Sequence, residues 1–131
     1  MRQRQTGQAD KLGIYIHIPF CRSICSFCPY CKTLYSEEAC SRYIDALIRE
    51  IHLAGSQIPG KKTVTSLYFG GGTPALAADR IKEIIDAIQE HFIITQGIGI
   101  ELHPENVTPR TLHILKEAGI TKLSIGIQSF Q

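Results

Sequence analysis

Apolar and polar residues alternate strictly from Gly13 to Ile18, so that Ile14, Ile16 and Ile18 fall on one face and Tyr15 and His17 on the other. A period of two predicts a strand with one face in a core. From Ser36 onwards the period becomes helical. Cys40, Tyr43, Ile44, Leu47 and Ile51 form one stripe, behind Ser36 as N-cap and the acidic first turn Glu37-Glu38, and Gly55 is the expected stop. Residues 56–62 read as a loop. The β-branched and aromatic run Thr63–Phe69 predicts a second strand. Gly70-Gly71-Gly72-Thr73-Pro74 reads as a turn in which Thr73 caps a second helix and Pro74 opens it. Ile81, Ile84, Ile85, Ile88 and Phe92 mark that helix, and Ile98–Leu102 a third strand. Thr108-Pro109 opens a third helix carrying Leu112, Ile114 and Leu115, which Gly119 stops before a fourth strand over Lys122–Ile127.

The order βαβαβαβ is that of an α/β fold with a parallel sheet and right-handed crossovers. Two architectures satisfy it: an open doubly wound sheet, or the first half of a (β/α) TIM-like barrel. The 131 residues suffice for one domain with its own core. Residues 1–11 are polar and read as a disordered leader, which leaves 12–131 as the folded part. A net charge of +2 gives no basic signature for nucleic acid. No stretch approaches the ~18–20 apolar residues of a membrane span, and the N-terminus has no signal-peptide pattern, so the expected location is the cytoplasm.

Ligands of parallel α/β folds bind at the carboxyl ends of the strands, and the unusual motifs all fall there. Cys21, Cys25 and Cys28, spaced C-x3-C-x2-C, follow strand one; the glycines follow strand two; Glu101-Leu102-His103-Pro104-Glu105 closes strand three; Gln128 closes strand four. Four irregular polar motifs on one rim describe one site. Close-set thiols in a reducing compartment favour metal ligation over disulfides. Two centres suit them: a [4Fe–4S] cluster on three thiolates with one iron open, or a zinc site that adds Cys31. Crowding on one short loop fits the cluster better, since zinc usually draws pairs from separate elements. Cys31 is a spare thiol, a second ligand or a participant in the reaction, and Cys40 belongs to the helical core stripe. The glycines let backbone approach a ligand, but they lack the Gly-Lys-Ser/Thr ending of a phosphate loop. Glu101 ends an apolar strand, where a carboxylate needs a partner such as a ribose hydroxyl, an amine or a neighbouring cation.

Taken together, Tyr-Ile-His-Ile-Pro-Phe-Cys (15–21), the cysteine loop, Tyr-Phe-Gly-Gly-Gly-Thr-Pro (68–74), Glu101 with Pro104-Glu105, and Leu-Ser-Ile-Gly-Ile-Gln-Ser-Phe (123–130) resemble the radical S-adenosylmethionine (SAM) enzymes. Within them the chain is similar to the oxygen-independent coproporphyrinogen III oxidase family and its haem chaperone-like and haem-degrading methyltransferase-like relatives. The resemblance implies a partial TIM-like barrel of which this segment is the N-terminal portion, incomplete at its C-terminus. It implies a [4Fe–4S] cluster on Cys21, Cys25 and Cys28, with SAM completing the fourth iron and cleaved to a 5′-deoxyadenosyl radical. Tyr15, Phe27, Gly71, Gly72, Thr73, Glu101 and Gln128 would contact SAM, and Cys31 is a possible catalytic residue. A tetrapyrrole-like substrate and an external one-electron donor such as flavodoxin or ferredoxin would complete the system, in porphyrin or haem metabolism.

Overall fold

The structure, a computed structural model, describes residues 2–5, 11–21, 33–34 and 36–125, with side chains at 12–20 and 36–125. The alternation in the first strand has its expected effect. Ile14, Ile16 and Ile18 are buried, while Tyr15 is half-buried and His17 exposed on the opposite face. This strand, β2 (Lys11–Ile18), pairs in parallel with β5 (Lys62–Gly71); β5 pairs with β7 (Ile98–Leu102) and β7 with β8 (Lys122–Ile125), again in parallel. The register aligns whole rows of side chains. One row is apolar: Ile16 opposite Phe69, Phe69 opposite Ile100, Ile100 opposite Leu123. The adjacent row is Tyr15, Tyr68, Gly99 and Lys122.

Three helices cover the apolar face: α1 (Glu37–Ser56), α2 (Ala78–Gln89) and α3 (Pro109–Ala118). Ile44, Leu47 and Ile51 of α1, Ile81, Ile84, Ile85 and Ile88 of α2, and Leu115 of α3 share one core with Ile16, Phe69 and Ile100. The helices pack in sequence order, α1 on α2 and α2 on α3. The strands advance in one direction through the sheet without reversing. A doubly wound fold must reverse its order to place helices on both faces. This chain does not, so its βαβ units curl one way, as in a barrel.

Several local expectations shift. Residues Arg2–Gln5, expected within a leader, form an edge strand, β1, antiparallel to β2. Gly55 does not stop α1. It lies inside the helix and buried, and Gln57 is the C-cap. The segment after the glycines starts as a short 3-10 turn at Pro74–Ala77, and Thr73 makes no side-chain cap there. Phe92 belongs to a short strand, β6 (Phe92–Ile94), paired with the start of β5. Its aromatic side chain is buried, so period alone did not separate a helical position from a strand following two residues after the helix. The α3 boundaries match expectation, with Thr108 accepting from the Thr111 N–H and Gly119 left-handed at the end. Flanking the cysteine loop, β3 (Phe20–Cys21) and β4 (Thr33–Leu34) pair in parallel.

Candidate functional site

The carboxyl end of β2 and the glycine turn after β5 are stitched together by backbone. The Gly72 N–H donates to the Ile18 carbonyl (2.9 Å) and the Thr73 N–H to the Phe20 carbonyl (2.7 Å). Thr73 thereby sits beside the peptide that leads into Cys21. Gly71 has φ +116°, and a Cβ there would lie 2.5 Å from the Ile18 carbonyl oxygen. Only glycine meets both demands. The stitching has a chemical consequence: the N–H groups of Gly72 and Thr73 are already committed and the Thr73 carbonyl accepts from the Leu76 N–H (3.0 Å), so few backbone groups of this turn remain for a ligand, the Gly72 carbonyl among them.

Below the rim, the face away from the helices carries an aromatic layer. The rings of Tyr15 and Tyr68 stack with centroids 6.4 Å apart and planes at 20°. Each leans over a glycine on the next strand. A Cβ at Gly70 would meet the Tyr15 hydroxyl at 2.6 Å, and one at Gly99 would meet Tyr68 Cδ1 at 2.8 Å. The Tyr15 hydroxyl lies 3.3 Å from His17 Nδ1. From the other side of the sheet Tyr43 of α1 donates a short hydrogen bond to the His17 carbonyl, and its ring meets Phe20 edge-on at 5.6 Å. Burial pushes the Tyr43 phenol above its ordinary range, with the Glu50 carboxylate and Tyr15 adding to the effect. Tyr43 therefore stays a donor at neutral pH and pins the strand end that precedes Cys21.

Glu101 follows Ile100 on β7, two residues beyond Gly99 and so on the face that carries Tyr15 and Tyr68. It is half-buried and has no hydrogen-bond or ion-pair partner among the described residues. The cation that could have satisfied it is absent from that set. Its neighbour His103 does structural work: Nδ1 accepts from the Glu105 N–H, capping the short turn Pro104–Asn106.

Of the residues singled out in the sequence, Tyr15, Gly71, Gly72, Thr73 and Glu101 lie at the carboxyl ends or on the inner face of neighbouring strands, and the Cys21 backbone joins them. Cys25, Phe27, Cys28, Cys31 and Gln128 lie outside the described residues. Cys40 is buried in α1; burial pushes its thiol up against the opposing pull of Arg80. It is a core residue, as its place in the stripe predicts. Tyr68 and Tyr43 were missed as site elements. Tyr43 carries an apolar stripe position and gives no sequence signal of its hydroxyl's role. Tyr68 could have been found from period two, since it lies opposite Leu67 and Phe69 on its strand.

Residues 15–131 match the family model described as the radical SAM superfamily. The chain belongs to the radical SAM superfamily. It is 39% identical over 130 residues to an anaerobilin synthase of Escherichia coli O157:H7, covering 96% of this chain and 29% of that protein. It is 32% identical to the oxygen-independent coproporphyrinogen III oxidase of Pseudomonas aeruginosa, over 91% of this chain and 27% of the oxidase. A haem chaperone of Bacillus subtilis is 34% identical, over 89% of this chain and 32% of its own length. The solved coproporphyrinogen III oxidase of Escherichia coli, a radical SAM enzyme, superposes with a TM-score of 0.79 at 32% identity, over 89% of this chain and 28% of the oxidase. The chain thus spans under a third of these relatives, and its fold is the beginning of the TIM-like radical SAM fold. Membership implies a [4Fe–4S] cluster and SAM as cofactors. Among the described residues, no helix is long and apolar enough to cross a membrane.

Proposed function

We propose that this radical SAM segment is the radical-generating part of an oxidoreductase of porphyrin or haem metabolism, similar to the oxygen-independent coproporphyrinogen III oxidases. The observation that carries the reading is the convergence of the motifs: the backbone bonds from Gly72 to Ile18 and from Thr73 to Phe20 bring the glycine turn against the strand that leads into the cysteines. The donor set fits the implied cluster. Three thiols at C-x3-C-x2-C, Cys21, Cys25 and Cys28, can ligate three irons and leave one open. Once bound, the cluster and SAM supply the reductive cleavage that yields a 5′-deoxyadenosyl radical.

The chain's own residues bind and orient. The turn at Gly71, Gly72 and Thr73, with two of its N–H groups used and the Thr73 carbonyl held by the Leu76 N–H, offers the Gly72 carbonyl to an ammonium donor, as on the methionine end of SAM. Glu101, half-buried without a partner among the described residues, suits ribose hydroxyls. Tyr15, propped on Tyr68 and Gly70, gives a flat wall that excludes water from the same space. Phe27 and Gln128 complete the contacts, and Cys31 is available to the reaction. The partners are a tetrapyrrole and a flavodoxin- or ferredoxin-type electron donor in the cytoplasm.

A second reading, a haem-degrading methyltransferase-like enzyme, is favoured by the 39% identity to an anaerobilin synthase. Anaerobic incubation of the full-length, cluster-reconstituted protein with SAM, reductant and either coproporphyrinogen III or haem tests both. Formation of 5′-deoxyadenosine with carbon dioxide release from coproporphyrinogen is the expected result. Turnover of haem alone would transfer the assignment to the second reading. Absence of 5′-deoxyadenosine with every tetrapyrrole offered would remove both.

A further inference from the structure

A second cluster of ligating side chains lies at the other end of the sheet. His52 is near the end of α1, and Glu90 and His91 form the corner between α2 and β6. The pairing of Phe92 with Lys62 puts this corner at the start of β5, while Gly71 ends that strand. At ~3.3 Å per residue the two rims are roughly 30 Å apart. Among the described residues, these three side chains are the group whose ligand atoms all lie within 4.8 Å of one another.

The imidazoles meet closely. His52 Nδ1 is 2.9 Å from His91 Nε2, with the rings edge to face at 69°. Nitrogens so placed hold one proton between them in the metal-free chain. The same spacing suits two ligands of one metal. At metal–nitrogen distances of about 2.0–2.1 Å, 2.9 Å corresponds to an angle of roughly 90° at the ion. Opening that angle to tetrahedral needs the nitrogens to part by only ~0.4 Å at the same bond lengths. Both rings are half-buried, whereas Glu90 is exposed and free to swing its carboxylate in.

The backbone is shaped for this approach. Gly55 sits inside α1, where glycine costs about 0.5–1 kcal/mol relative to alanine. A Cβ at that position would collide with the His91 ring. The helix thus carries an unfavourable residue where a side chain would keep His91 away from His52.

We propose that His52, Glu90 and His91 bind a divalent zinc ion, with a fourth position open to water, at the rim opposite the SAM motifs. Two neutral imidazoles and one carboxylate are a zinc-binding set. The ion replaces the shared proton and ties the last turns of α1 to the corner between α2 and β6.

The test uses the full-length protein with its iron–sulfur cluster reconstituted, so that its cluster cysteines are occupied, and zinc alone as probe. After equilibration with micromolar zinc and desalting, zinc and iron per chain are measured. The wild type should retain one zinc. His52→Gln and His91→Gln should each weaken retention at least tenfold, and Glu90→Gln a few-fold, with iron per chain unchanged. Constant iron content shows that the variant has kept its fold; Glu90→Gln, altered only at an exposed side chain, serves if a histidine variant does not. The thermal midpoint should rise with zinc concentration in the wild type and not in His52→Gln. Equal zinc in the wild type and the His52→Gln/His91→Gln double variant would overturn the proposal, as would zinc displacing iron while Glu90→Gln behaves as wild type.

Discussion

At Gly71 two constraints coincide: a backbone φ of +116° and the Ile18 carbonyl where a side chain would begin. Such strained placements cost of order 1–3 kcal/mol for other residues. Gly71→Ala should therefore lower the unfolding free energy by about 2 kcal/mol, read from urea denaturation, and should also loosen the bonds from Gly72 and Thr73 to β2. A variant of wild-type stability would show that the turn has another conformation within reach. Gly70 carries a different constraint, the Tyr15 ring above it. The presence of a special turn was readable in the sequence, because three successive glycines after an apolar strand have few other uses. Which glycine serves φ and which serves space was not, since both depend on how β2 lies against β5. Glu101 was legible as a carboxylate out of place on an apolar strand; its lack of a partner among the described residues needed the fold.

Between elements, Arg80 of α2 is the polar link to α1. It contacts Asp45 at 2.8 Å and the Ser41 carbonyl at 3.2 Å, and it pairs with Glu83 within its own helix at 2.8 Å. The hydrogen bond from Arg80 holds the Glu83 carboxyl below its ordinary range. A depressed carboxylate stabilises the fold above its unfolded value, and that contribution is lost as pH falls through the folded value. The thermal midpoint of the wild type should accordingly exceed that of Glu83→Gln at neutral pH, and the gap should close in acid. A gap independent of pH would mean that the pair does not act through charge. The effect is small because Glu83 is exposed. Helices were the most legible elements: stripe and N-cap agree for Glu37–Ser56, though not its expected stop, and stripe, cap, proline and stop agree for Pro109–Ala118. Short strands were the least. Phe92–Ile94 is too brief to establish a period, and its pairing with β5 comes from the sheet, not from local preference.

Across the whole molecule, the uniform strand order leaves one side of the sheet to the helices and the other to the aromatic layer. The far edge is less covered. Leu123 and Ile125 of β8 continue the apolar rows of Ile100 and Leu102, yet are 48% and 50% exposed. An open edge with apolar side chains beside it invites association. The 131-residue chain should therefore bind a hydrophobic dye and self-associate in a concentration-dependent way. A dye-silent monomeric segment would show that this face is covered from within. The choice between barrel and doubly wound sheet rested on strand order, which no local pattern encodes.

The bonds joining Gly72 to Ile18 and Thr73 to Phe20 also govern timing. They span more than fifty positions of chain, and contacts so distant in sequence form late, after the local helices. Cys21 leaves the ribosome well before β5 exists to flank the strand end that leads into it. During that interval the end of β2 lacks the backbone donors that hold it in the folded chain, and it gains them only when the first crossover closes.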